Sequence, residues 1–384
     1  MGRTVVRWAV LLVSLAACGG SRPDREGAAA VTKSTPGDTN GVPHEGGTGG
    51  KPGSGGMGGA GPGTTSPACA HDPQAPTCPG TTSGRWCVET FPEPNVFLQS
   101  VWSDRPDNAW AVGWHDLATG DREAVLRHWN GCAWIDVPNP DPARFQFARG
   151  VWGVSANDLW IVGDGVVVLH FDGQSLTPVA VPVPPLDAVA DLPSASGSAS
   201  NDVWTGGRNV LHWDGVAWTA VAIDTGDPNQ YFADVWAVGP NDVWATGTRV
   251  AAHFDGSSWT VDQLVTGPMG LSAFLYTIWS SGPEAWAAGP GDRIHHFQNG
   301  QWTMVTVPTD SGPLLYDLGG MNGDVHLVGS QSTLRTVENG AFVPVTDAPA
   351  TPAIYQGVWV STSQVWVVGA TETGGQAIVL RRPR

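Results

Sequence analysis

Hydrophobic and polar positions alternate in short bursts along this chain, and no window of its last three hundred or so residues keeps the 3.6-residue spacing of a helix. The stretch GVWGVSANDLWIVGDGVVVLHFDG, Gly150 to Gly173, shows the unit. It has an apolar-Trp step, an Asn/Asp turn, a second apolar-Trp step ending in Gly, and an apolar run ending in His-aromatic-Asp-Gly. The second Trp recurs at Trp110, Trp160, Trp204, Trp244, Trp286 and Trp366, with His326 in its place in the sixth copy. That spacing, about 40–50 residues, is the length of one propeller blade. Each copy splits into four strand-like segments rich in Val, Ile, Trp and Thr, separated by turns such as Gly239-Pro240-Asn241-Asp242 and Asp255-Gly256.

Seven copies are present, and the last lacks its fourth segment. A matching segment, Gly84-Arg85-Trp86 followed by Cys87-Val88-Glu89, stands ahead of the first copy. The chain therefore predicts an all-β fold, a seven-bladed β-propeller of four-stranded blades closed by an N-terminal strand that completes the last blade. Such closure leaves no unpaired blade edge at the seam. The expected organisation is a leader over 1–18, a tether over 19–67, a Cys-containing lead-in over 68–84 and the propeller over 85–384.

Composition narrows the function. Nineteen of the 20 Trp follow Gly84, enough bulk to fill the spaces between blades. The net charge is −16, and both lysines, Lys33 and Lys51, precede the repeats. A nucleic-acid partner is not expected on so acidic a surface. Arg3 and Arg7 followed by the short apolar run Trp8–Leu15 read as a targeting segment. Its end, Leu15-Ala16-Ala17-Cys18, resembles the lipobox of bacterial lipoproteins. The resemblance implies cleavage before Cys18 and lipidation of that residue. Gly19 in the next position implies the outer membrane, with the chain on its periplasmic or cell-surface face. Residues 19–67 are rich in Gly, Pro, Ser and Thr and read as a flexible tether with a reach of roughly 40 Å. Cys69, Cys78, Cys87 and Cys132 suggest two disulfides, with a preference for Cys132 pairing to Cys69 or Cys78.

Candidate chemistry is sparse. His128, His170, His212, His253 and His296 hold equivalent places in five blades, too far apart in a ring to share a metal, and read as partners of turn groups. The Asn157-Asp158, Asn201-Asp202 and Asn241-Asp242 pairs read as turns. No metal or other cofactor is expected. The four tyrosines, Tyr231, Tyr276, Tyr316 and Tyr355, all fall where a blade's first strand begins, which in a propeller is one mouth of the channel. Phe97, Phe147, Phe274, Gln99, Arg149 and Gln356 share that zone, with Ser100, Asp234, Thr277 and Asp317 just inside. An aromatic and polar mouth suits a glycan, a peptide or an envelope protein. No nucleophile elbow or zinc-protease motif occurs. A paired-carboxylate hydrolase using Asp234 and Asp317 is the enzymatic alternative, and a structural scaffold of an envelope complex is the third. A monomeric ring is expected.

The units VWGVSANDLWIVG, VWAVGPNDVWATG and VLHWDGVAWTAV are similar to repeats of lipid-anchored β-propellers abundant in myxobacteria. More distantly they resemble the BNR/Asp-box propellers of sialidases and the tectonin lectin repeat. Asp255-Gly256-Ser257-Ser258-Trp259 keeps a degenerate Asp-box. The sialidase arginine triad has no matching positions, so the resemblance implies a fold and no transferred catalysis.

Overall fold

The computed structural model describes residue 78 and residues 80–83, 85–181, 191–264, 274–307 and 312–384, and their regular structure is entirely β-strand. The expected leader with Cys18, the tether and Cys69 lie outside the described residues.

A hairpin of β1 (Thr81–Ser83) and β2 (Trp86–Thr90) comes first. Blade 1 is β3 (Val96–Arg105), β4 (Asn108–Asp116), β5 (Arg122–Trp129) and β6 (Trp134–Asp136). Blade 2 is β7 (Ala148–Ser155), β8 (Asp158–Gly163), β9 (Val168–Phe171) and β10 (Leu176–Val179). Blade 3 is β11 (Ala195–Ala199), β12 (Asp202–Thr205), β13 (Val210–Trp213) and β14 (Trp218–Val221). Blade 4 is β15 (Phe232–Gly239), β16 (Asp242–Gly247), β17 (Val250–Phe254) and β18 (Trp259–Gln263). Blade 5 is β19 (Thr277–Ser280), β20 (Glu284–Ala288), β21 (Arg293–Gln298) and β22 (Gln301–Thr306). Blade 6 is β23 (Leu315–Met321), β24 (Asp324–Gly329), β25 (Leu334–Glu338) and β26 (Ala341–Pro344). Blade 7 starts with β27 (Ala353–Val360), β28 (Gln364–Thr371) and β29 (Ala377–Pro383).

Each blade is an antiparallel meander. The first strands touch in series from β3 round to β27 and back to β3, so they line the central channel. Blade 7 takes its fourth strand from the N-terminus: β2 pairs with β29 in the register Cys87↔Arg381 and Glu89↔Val379. This is the expected seven-bladed propeller with its N-terminal closing strand. The closing blade is in fact five-stranded, because β1 adds outside β2.

Cys78 is disulfide-bonded to Cys87, with Cα atoms 5.4 Å apart. That corrects the expected option of a Cys78–Cys132 bridge. The β1–β2 hairpin carries Cys78 back alongside its own neighbour strand, where Cys87 is nearest. Cys132 is disulfide-bonded as well.

The repeat's signature residues bind the blades together. In five blades the recurrent His stacks on the second Trp of its own blade, from Trp110–His128 at 4.8 Å to Trp286–His296 at 3.6 Å between centroids. Its ring nitrogen bonds the turn residue that opens the second strand: Asn108 (2.7 Å), Asp158 (2.8 Å), Asp202 (2.9 Å), Asp242 (2.9 Å) or Glu284 (2.6 Å). The aromatic after each His reaches the preceding blade. Phe171 meets Trp110, Trp213 meets Trp160, and Phe297 meets Trp244, at 5.0–5.3 Å. Blade 7 meets blade 1 in the same way through Trp366 and Trp129, 6.5 Å apart. One dipeptide thus fixes a strand within its own sheet and clamps it to the next sheet. Offset and edge-on aromatic pairs of this kind add about 0.5–1.5 kcal/mol each beyond the area they bury.

Candidate functional site

The site grows from one backbone irregularity. The ladder between first and second strands shifts register between Leu98 and Ser100, Ala148 and Gly150, Phe232 and Asp234, Leu315 and Asp317, and Tyr355 and Gly357. A bulge places one extra residue outside the ladder and re-aims its side chain. Here it lies where each first strand enters the channel. The bulged position holds Gln99, Arg149, Ala233, Tyr316 and Gln356 in these five blades. Tyr276, the residue before β19, is its counterpart in blade 5 and lies against Tyr316.

The bulge explains the repeat's invariant Gly. A Cβ on Gly113, Gly163, Gly247, Gly289, Gly329 or Gly369 would lie between 1.8 Å (Gly247) and 2.4 Å (Gly289) from a main-chain oxygen of the facing first strand. That oxygen belongs to Phe97, Phe147, Tyr231, Phe274, Leu314 or Ile354. These six residues share one position, two before the bulge core, and form the outer rim with Asp191 of blade 3.

Rim and bulge residues join into a belt. Phe97 stacks on Trp114 at 5.1 Å, and Trp114 meets Phe147 at 5.2 Å. The guanidinium groups of Arg122 and Arg149 lie 4.6 and 5.2 Å from the Phe147 centroid. Arg149 pairs with Asp191 at 3.1 Å, and the Tyr231 hydroxyl donates to the other oxygen of Asp191 at 2.8 Å. Burial first, and Asp191 next, push the Tyr231 phenol well above its ordinary range. Tyr231 then stacks on Phe274 (6.0 Å), Phe274 meets Tyr276 at a tilt (5.6 Å, planes 57° apart), and Tyr276 stacks on Tyr316 (5.9 Å, planes 25° apart). The belt therefore runs through blades 1 to 6 on one face.

The expected site residues separate into layers. Gln99, Arg149, Tyr276, Tyr316 and Gln356 share the bulged position, and Tyr231 stands on the rim. Tyr355 sits one residue away from the bulge and is 1% exposed, in the core between blades 6 and 7. A single residue of offset sends its ring between sheets rather than into the mouth.

Asp234 and Asp317 lie one step deeper, with Ser100, Ser194 and Thr277 in the same layer. Each of these side chains accepts a hydrogen bond from a main-chain N–H of the next blade: Ser100 from Val151 (3.3 Å), Ser194 from Val235 (3.1 Å), Asp234 from Ile278 (2.9 Å), Thr277 from Leu318 (3.0 Å) and Asp317 from Val358 (2.8 Å). Blades 2 and 7 have Gly150 and Gly357 here, where a Cβ would crowd the neighbouring strand at 2.8 and 2.5 Å. Each carboxylate takes a second N–H, from Val235 or Leu318 at 2.9 Å, and the Thr277 hydroxyl donates to Asp317 at 3.3 Å. Both line the channel and are half-buried. Burial pushes Asp234 up to about 7 against the pull of its hydrogen bonds. Asp317 is pushed well up too, by burial and then by the charge of Asp234.

The next layer spans the lumen. Trp236 of blade 4 donates its indole N–H to the Ser280 carbonyl (2.9 Å), Trp279 to Gly320 (3.0 Å), and Trp359 of blade 7 to Ser103 (2.7 Å). Trp236 and Trp359 come from blades three apart, yet their centroids are 6.2 Å from each other. The mouth is therefore a cup with a tryptophan base. Among the described residues no three of His, Cys, Asp and Glu gather as a metal site.

No protein-family model matches the chain, and no curated protein does. Solved structures do. YCF48 bound to D1 peptide matches at a TM-score of 0.58 and 17% identity, over 80% of this chain and 99% of that one. The WD40 β-propeller domain of Doa1 matches at 0.58 and 13% identity, over 78% and 97%. A chain of the mitotic checkpoint complex matches at 0.58 and 13% identity, over 82% and 99%. At these identities the likeness establishes the propeller fold and nothing narrower. The BNR/Asp-box, tectonin and lipid-anchored repeat families find no support among these matches.

Proposed function

We propose that this protein is a non-catalytic binding propeller that takes a peptide, or an exposed segment of a protein, on the aromatic belt at one mouth of its channel. The observation that carries the reading is the belt itself. Residues drawn from six blades are stacked edge to edge around a cup, set there by bulges that cost regular pairing. Rigid aromatic surface with hydroxyls and the guanidinium groups of Arg122 and Arg149 at its rim is what peptide recognition uses. The solved structure of YCF48 bound to D1 peptide gives a precedent for a peptide on a propeller of this shape.

The hydrolase reading finds less support. Asp234 and Asp317 are each held by two main-chain amides and act as ties between blades. On the lipobox-like ending at Cys18, we place the propeller at the outer membrane, held by a lipid and the tether.

A peptide array probed with the protein tests this reading. The double variant Tyr276→Ala/Tyr316→Ala is expected to lose captured peptides at least tenfold, with its melting temperature within a few degrees of the parent. Captured peptides that the double variant retains in full would remove the mouth from consideration.

A further inference from the structure

The cup is not chemically even. On the blade 4–6 side, Tyr276 and Tyr316 form a stacked pair above the layer of Asp234, Thr277 and Asp317. Among the described residues the groups acting on the two carboxyls are main-chain amides, hydroxyls and each other, and no cation is among them. Both lysines of the chain precede the propeller, and Arg149 across the mouth is engaged by Asp191. Buried carboxyls are ordinarily paired with a cation or kept protonated. Two aromatic faces stand on the open side of the pair, and aromatic faces attract cations. The tryptophan layer beneath brings Trp236 and Trp359 to 6.2 Å across the lumen, which suits entry of a side chain or a chain end better than a threaded strand.

From this arrangement we propose that the cup receives one cationic group of the bound peptide, an alkylammonium or guanidinium lying on the Tyr276–Tyr316 pair and directed at Asp317 and Asp234. The inference rests on the mouth being the binding surface. The chain's net charge of −16 draws such a group in from a distance. The titratable groups of the mouth above the two carboxyls are Tyr231, Tyr276 and Tyr316, with the Arg149–Asp191 ion pair across it, while Tyr355 lies in the core between blades 6 and 7. Burial pushes all four phenols upward. Between pH 5 and 8 the change of charge in the cup therefore falls on Asp234, pushed up to about 7, with Asp317 raised well above its ordinary range beside it. A bound cation favours their ionised form, so binding releases protons and tightens as pH rises.

The test uses blocked pentapeptides, acetyl-Gly-Gly-X-Gly-Gly-amide, with X as Lys, Arg, norleucine or Glu, and pentaglycine amide with a free or an acetylated amino terminus. Affinities are measured on the full chain by calorimetry at pH 5.5 and pH 8. The Lys or Arg peptide is expected to bind at least tenfold tighter than norleucine at pH 8, with at least a threefold loss at pH 5.5 and proton release on binding. Asp317→Asn, which keeps the side chain's size, is expected to erase that preference; Asp234→Asn carries the same test if the first variant does not fold. A preference for free pentaglycine amide over its acetylated form would support the same chemistry and assign the cation to a chain end. Norleucine binding as well as Lys, or Glu binding better, would overturn the cation proposal while the mouth reading stands, provided Tyr276→Ala/Tyr316→Ala still abolishes capture. Binding untouched by that double variant would overturn both.

Discussion

Deletion of residues 1–90 is expected to abolish cooperative folding. The deletion removes β2, whose Trp86 and Val88 are 1% and 7% exposed against blades 6 and 7. Loss of a buried Trp alone costs about 3–5 kcal/mol, and a domain has only about 5–15 kcal/mol to lose. The deletion also strips β29 of a partner strand and leaves the buried Arg381, stacked 4.3 Å from the Trp129 ring, beside an open edge. An exposed edge at the seam invites aggregation. Expression in inclusion bodies, or a broad unfolding transition by circular dichroism, is the expected result. A circular permutant supplies the control. The beginning of β2 lies beside the end of β29, where Arg85 donates to the Pro383 carbonyl at 3.2 Å. Residues 85–90 joined after Arg384 through a short Gly/Ser turn are expected to restore a sharp transition. A deletion that still melted sharply near the parent temperature would mean that the ring closes without this strand.

Gly247→Val is expected to lower the melting temperature by about 10 °C or more. The first atom added would lie 1.8 Å from the Tyr231 carbonyl oxygen and 2.9 Å from the Phe232 Cα. Both are main chain, and neither can swing aside. Relief requires undoing the bulge in blade 4, which holds Tyr231 on the rim and Asp234 on its amides. A cost of at least about 3 kcal/mol follows from overpacking of this severity, and each kcal/mol is worth roughly 2–4 °C in a domain this large. Gly239→Ala is the matched comparison, because a Cβ there meets nothing within 4 Å. It is expected to shift the transition by less than about 2 °C, as surface changes usually do. Differential scanning calorimetry of the two variants beside the parent separates loss of a bulge from loss of a glycine.

Much of this architecture was legible in the sequence because its signals repeat. The second Trp at near-constant spacing marks the blades, and the missing segment of the last copy matches the spare one around Trp86. The turn role of Asn157-Asp158 was legible too, although its second function, holding His170, needed the pairing of the two positions across a hairpin. What escaped is what one residue of offset decides. A bulge adds a single residue without changing composition, so Tyr316 and Tyr355 look alike in sequence, yet one faces the mouth and the other the core. Asp191 was missed because it lies beyond a long connection with no repeat pattern; its partners Arg149 and Tyr231 come from the neighbouring blades. The tie formed by Asp234 and Asp317 was hidden in the same way, since the amides they accept belong to the next blade. Strand β1 is three polar residues, Thr81–Ser83, with no alternation to announce it.

The most direct measurement of the central claim is where a bound peptide lies. A photoreactive amino acid at Tyr316, in the mouth, and another at Val216, 83% exposed in the outer hairpin of blade 3, can each be irradiated with an array-selected peptide and analysed by mass spectrometry. The account predicts crosslinks from position 316 and none above background from position 216. Crosslinks confined to position 216 would put the working surface on the blade rim and contradict it.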